Sequence, residues 1–186
     1  MAGDYTCIPG GEQASRGCES SLQAMLAISL LRFVQAKMMG GAHSTGRPER
    51  GWEHFTHIAD VGVRGFGTTM GEAFEQAALA MTAITCDPGA IQARSSVPID
   101  LEAPNAEILL ADWLNAIVFE MATRRMLFSR FTAQISGNRL SGSLGGEAVD
   151  VPRHQPAAEI KGATLSELKV GQDEDGRWFA QCVVDV

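Results

Sequence analysis

Two stretches of the chain repeat apolar residues at three- and four-residue steps, and short alternating segments frame each of them, a pattern that leaves few folds open. In the first, Met70, Ala73, Phe74, Ala77, Ala78, Met81 and Ile84 mark one face of a helix. Thr69 with Glu72 three residues on is a capping-box start, and Asp87-Pro88-Gly89 is a stop. In the second, Leu109, Leu110, Trp113, Leu114, Ile117 and Met121 share one side while Glu107, Asp112, Asn115 and Glu120 take the other, behind Asn105 as a cap. Helices that are apolar on one side must lay that side on another layer, and these two read as lying on a sheet.

The flanking segments supply it. Residues 61–67, VGVRGFG, read as a short strand whose glycines admit a close neighbour. Residues 96–103 alternate, with Val97, Ile99 and Leu101 on one face and Asp100 and Glu102 on the other. Leu127, Phe131, Ala133 and Ile135 lead to Gly137-Asn138, a two-residue turn signal, and RLSGSLGGE returns as the second arm of a hairpin. Residues 159–170 and the final WFAQCVVDV, separated by the turn QDEDG, read as one more pair. The sequence therefore predicts an α+β fold, a two-layer α/β sandwich with two helices packed on a mainly antiparallel sheet of about six strands.

A chain of 186 residues, 45% hydrophobic, has material for one core and an appendage. Residues 40–51, GGAHSTGRPERG, combine Gly, Pro, Ser and charge without period and read as a linker. The expected division is a flexible N-terminal extension over residues 1–51, with an amphipathic helix at 20–37, and a main domain over 52–186. Met38 or Met39 is an alternative start. The apolar run from Leu22 lacks a basic leader and is broken by Gln23, Arg32 and Gln35, so neither a signal peptide nor a membrane span is expected.

Charge and cysteines narrow the function classes. A net charge of -7 argues against a domain that grips nucleic acid through phosphates, which needs a clustered basic face, and makes any RNA contact indirect. Cys7, Cys18, Cys86 and Cys182 are scattered with no Cys-x-x-Cys, as expected of reduced thiols in a cytoplasmic protein. No serine or cysteine stands in a nucleophile elbow, and GVRGFG fits neither a Walker loop nor a dinucleotide fingerprint. An independent enzyme is poorly supported.

Three groups of polar residues remain. His57 and Asp60 in THIADVG read either as a polar strand entry or as part of a site that needs a partner from elsewhere. Asp185 and the carboxylate of Val186 read either as a frayed terminus or, with Asp60, as hard oxygen donors suited to Ca²⁺, Mg²⁺ or Mn²⁺. Glu147, His154 and the segment from Lys161 to Thr164 form a polar string in which a lone lysine ordinarily marks a solvated strand face.

The series HIADVG, TTMGEAFEQAALAM, LLADWLNAIVFE, GGE, a histidine, EIKGAT and a final VVDV resembles the archease family, in that order, over residues 52–186. The resemblance implies a small α/β sandwich that is not itself a catalyst. It would be a protein cofactor of RtcB-type RNA ligases in tRNA splicing and RNA repair, promoting guanylylation of the ligase histidine and multiple turnover. It further implies a divalent cation, Ca²⁺ first, held by Asp60, Asp185 and the main-chain oxygens of Val186. Lys161 would assist the partner ligase. Beside that implied set, His57, Glu147 and His154 read as candidates to orient the ligands, with a structural place the alternative for His57. Thr56 and Ile58 stand where the family has an aspartate and a threonine, and Gly162-Ala163-Thr164-Leu165 departs from its commoner Ala-x-Thr-Tyr. A competing expectation is a general interaction module or chaperone for nucleic-acid enzymes that uses residues 20–37. A free-standing metal-dependent phosphohydrolase would need a second acid/base pair that the chain lacks.

Overall fold

The computed structural model describes residues 49–57 and 60–186. The helix expected at 20–37, the start of the linker and Ile58 lie outside them. Among the described residues the order is β1 (Gly51–Thr56), β2 (Val61–Gly67), α1 (Met70–Thr85), a 3-10 turn (Pro88–Ala90), β3 (Ser95–Glu102), α2 (Ala106–Arg124), β4 (Met126–Ser136), β5 (Arg139–Ala148), a single-turn α3 (Val151–His154), β6 (Gly162–Ala163), β7 (Lys169–Gln172) and β8 (Trp178–Asp185).

The α+β class holds, and every strand pair is antiparallel. The strands divide between two sheets, one ordered β1-β2-β8-β6 with β7 also on β8, the other β3-β5-β4. Eight strands replace the expected six or so for two local reasons. β1 carries no clean alternation: Trp52 and His54 are half-buried, and the strand is held by pairing with β2 and by His54 Nε2, 2.7 Å from Ala80 O. Residues 159–170, expected as one continuous strand, pair only at 162–163 and 169–172, and Glu167 between them adopts a positive φ of 50°.

Both helices start as their caps direct. Thr69 Oγ1 accepts the Glu72 amide at 3.1 Å, and Asn105 Oδ1 accepts the Ile108 amide at 2.9 Å. The Glu72 carboxylate turns back to the Thr68 amide and hydroxyl, at 2.8 and 2.7 Å, and these bonds hold it below the usual carboxylate range.

α1 differs from the one-sided helix its period predicts, because it is wedged between the sheets. A Cβ at Gly65 of β2 would meet Ala73 O and Ala77 N at 2.2 Å, and a Cβ at Gly71 would meet Ala133 O of β4 at 2.1 Å. On its second face small residues do the covering: Ala80 is fully buried, Ala83 nearly so, and the Thr82 hydroxyl, 3.0 Å from Phe128 O and 3.1 Å from Ala78 O, has a carbonyl to donate to. Trp113 at the centre of α2 is fully buried, donates its indole N–H to Phe74 O at 3.2 Å and packs edge-on to Phe131. One core thus runs from Val63 and Cys182 on the larger sheet through both helices to Phe128 and Leu144 on the smaller.

Candidate functional site

β2 and β8 bring the two ends of the described domain together. Val61 pairs with Val184, so Asp60, one residue before β2, and Asp185, the last residue of β8, stand at the same end of the strand pair. β6 joins that end from the other side, pairing Gly162 with Asp185. Lys161 enters β6 with its amide on Asp185 O at 2.9 Å, while its ammonium donates to Val186 O at 2.9 Å and lies 3.6 Å from Asp185 Oδ1. The candidates Asp185, Val186 and Lys161, read from distant parts of the chain, therefore share one strand end. Their side chains are open to approach: that of Lys161 is 65% exposed and that of Asp185 49%.

His57 Nδ1 lies 4.0 Å from Asp60 Oδ2, too long for a hydrogen bond, and is a buried ring nitrogen with no partner among the described residues. Two carboxylates and a main-chain oxygen at a shared strand end are oxygen donors of the kind a hard divalent cation takes, and the Lys161 ammonium, already on Val186 O and near Asp185, would have to give way to it; the His57 nitrogen is the softer donor and does not add to such a set. Among the described residues no cluster of three or more His, Cys, Asp or Glu side chains forms a metal cage, so a cation here would draw on the main-chain oxygen of Val186.

Glu147 and His154 form a different assembly, at the end of β5 and in α3. Glu147 Oε1 accepts from the Gln92 amide at 2.6 Å, from Arg153 Nη1 at 2.8 Å and from His154 Nε2 at 3.3 Å, while Arg94 approaches Oε2 at 3.4 Å. Asp150 donates its amide to His154 Nδ1 at 3.0 Å, which leaves the ring proton on Nε2, directed at Glu147. Arg153 and the Gln92 amide hold the buried Glu147 carboxyl down at about 2. The hydrogen bonds of Glu147 and His154 thus run to one another and to the β3 and α3 approaches rather than to Asp60 or Asp185. An open groove of about 690 Å³ lies beside them, walled by Arg94, Val149 and Arg153.

Two participants have weak sequence signals. Arg153 belongs to α3, whose cap could have been read from Asp150 followed by Pro152. Asn115 is exposed on α2, as periodicity places it, and from there also bonds the main chain of Ala163. Cys182 is fully buried in the core, and burial pushes its thiol up to about 12, so it offers no thiolate. Among the described residues no helix is long and apolar enough to cross a membrane.

Residues 52–186 match the model of the Archease protein family (MTH1598/TM1083). Protein archease of Pyrococcus furiosus is 34% identical over 141 residues, 74% of this chain and 99% of its own length. Protein archease of Methanopyrus kandleri is 34% identical over 139 residues, with 73% and 99% covered. The solution structure of Methanobacterium thermoautotrophicum protein 1598 superposes with a TM-score of 0.65 at 31% identity, covering 73% of this chain and 99% of that one. The chain belongs to the archease family.

Proposed function

We propose that this protein is a non-catalytic cofactor of an RtcB-type RNA ligase in tRNA splicing or RNA repair, accelerating guanylylation of the ligase and supporting multiple turnover. The observation that carries the proposal is the convergence of Lys161, Asp185 and Val186 O at an exposed strand end beside Asp60. Asp60, Asp185 and the main-chain oxygen of Val186 are the residues that would hold a divalent cation, Ca²⁺ or else Mg²⁺ or Mn²⁺, and such an ion supplies charge neutralisation and orientation of phosphate oxygens when bound. Lys161 adds an exposed positive charge that can meet a partner's anionic groups. In this reading the residues here bind and orient while the partner's histidine reacts. RNA is contacted through the ligase, in keeping with the chain's net charge of -7.

The test is guanylylation of the organism's ligase with and without this protein, under single and multiple turnover. The intact protein should raise both, and Asp60→Ala should abolish the effect while its circular dichroism and unfolding midpoint stay near those of the parent. Equal rates with and without the protein would remove the proposal.

A further inference from the structure

We propose that Asn115 is a positioning residue: from α2 it clamps the main chain of Ala163 and so fixes where Lys161 stands beside Asp185 and Val186. The inference rests on the ligase-assisting role proposed for Lys161 and adds the device that places it.

β6 is two residues long and ends the strand order of its sheet, so among the described residues its outer edge has no strand neighbour. Its inner edge is tied to β8 by Lys161 N on Asp185 O and Thr164 N on Val183 O, both at 2.9 Å, with the Thr164 hydroxyl also on Val183 O at 3.0 Å. Alternation along an antiparallel strand then turns the amide and carbonyl of Ala163 outward. Asn115 meets both: its Oδ1 accepts the Ala163 amide at 2.9 Å and its Nδ2 donates to Ala163 O at 3.2 Å. A carboxamide carries the same donor and acceptor as a peptide group, so one side chain stands in for the missing strand. The pairing of one donor with one acceptor also fixes which way the amide faces.

Two further facts set this pair apart from incidental surface contacts. Asn115 is exposed on α2, where a better helix former would serve the helix alone. Gly162, immediately after Lys161, passes so close that a Cβ there would come 3.2 Å from Asn115 Oδ1. The helix motif LLADWLN and the segment EIKGAT are thereby joined across 48 positions in sequence. With β6 gripped on both edges, the Lys161 main chain has one place to be, and its ammonium reaches Val186 O from there.

The experiment compares the full-length parent, Asn115→Ala, Asn115→Asp, Lys161→Ala and the double substitution of Asn115 and Lys161 to Ala. Asp retains the acceptor for the Ala163 amide but sets a carboxylate against Ala163 O, so it loses the donor half of the clamp, whereas Ala loses both halves. Amide hydrogen exchange should speed up at Ala163 and Lys161 in Asn115→Ala and less so in Asn115→Asp, with the unfolding midpoint little changed. Maximal stimulation of ligase guanylylation should fall roughly tenfold, the scale of a misplaced functional group, while the protein concentration giving half-maximal stimulation stays within about twofold. The double variant should be no worse than Lys161→Ala. Unchanged exchange at Ala163 overturns the clamp. Impaired Lys161→Ala beside fully active Asn115→Ala overturns the positioning role alone, whereas a fully active Lys161→Ala overturns the ligase reading of Lys161 beneath it.

Discussion

Glu147 Oε1 stands 2.8 Å from Arg153 Nη1 and 2.6 Å from the Gln92 amide, so the end of β5, the segment leading into β3 and the single turn of α3 are joined through one buried carboxylate. Arg153 and the Gln92 amide lower its pKa from the ordinary 4.5 to about 2. A carboxyl held lower in the folded chain than in the unfolded one stabilises the fold above the unfolded value. That contribution is lost as pH falls from about 4.5 through about 2. Glu147→Gln should therefore lower the unfolding midpoint at neutral pH, and the gap from the parent should shrink steadily below pH 4.5. Midpoints measured from pH 7 to pH 2 check this, and a gap independent of pH would contradict it.

Close helix–strand approach makes a second prediction. At Gly65 the atoms that a Cβ would strike, at 2.2 Å, are backbone atoms of α1, which cannot turn aside as a side chain could. Gly65→Ala should cost at least the usual overpacking penalty of about 1–3 kcal/mol and move α1 off β2. Gly171→Ala on β7 is the control, since its Cβ would only touch the Phe179 ring at an ordinary 3.5 Å. Denaturant unfolding of the pair should show a large loss for the first and little change for the second.

How far sequence alone reaches is visible in the same elements. Thr69, Glu72 and Asn105 announce both helix starts because capping is local, and Gly137-Asn138 announces the β4–β5 hairpin because a two-residue turn is local too, with Gly137 at φ 58°. The second buried face of α1 is not announced, since Ala80, Ala83 and Thr82 suit either a core or a surface. The pairing at Gly162–Ala163 and the clamp from Asn115 depend on partners 21 to 23 and 48 positions away, which no local pattern encodes. At the candidate site the residue types were legible from Asp60, Lys161 and Asp185; that Lys161 sits directly on Val186 O is knowledge only of the folded chain. Glu147 and His154 stand out in the sequence only as members of a polar string, not as a pair, and their arginine partners do not stand out at all, because Arg94 and Arg153 look like ordinary surface charges in a linear reading.

The strand end that gathers Asp60, Asp185 and Val186 O makes the third prediction. A cation that binds the folded chain alone stabilises it by about 2.7 kcal/mol at a hundredfold excess over its dissociation constant. For a chain of this size that corresponds to a rise of about 5–10 °C in unfolding midpoint. Ca²⁺ added to the chelator-treated protein should produce such a rise, and excess chelator should reverse it. Asp60→Asn and Asp185→Asn keep side-chain shape but remove the carboxylate charge, so each should shrink the rise and the pair should abolish it. Glu147→Gln lowers stability in the absence of the ion yet should leave the rise itself intact, because its hydrogen bonds go to Gln92, Arg153 and His154. Differential scanning calorimetry on the four variants and the parent separates these outcomes. A rise that survives in the double Asp variant would place the cation elsewhere on the chain, and no rise with Ca²⁺, Mg²⁺ or Mn²⁺ would leave Lys161 as the sole cation serving these oxygens.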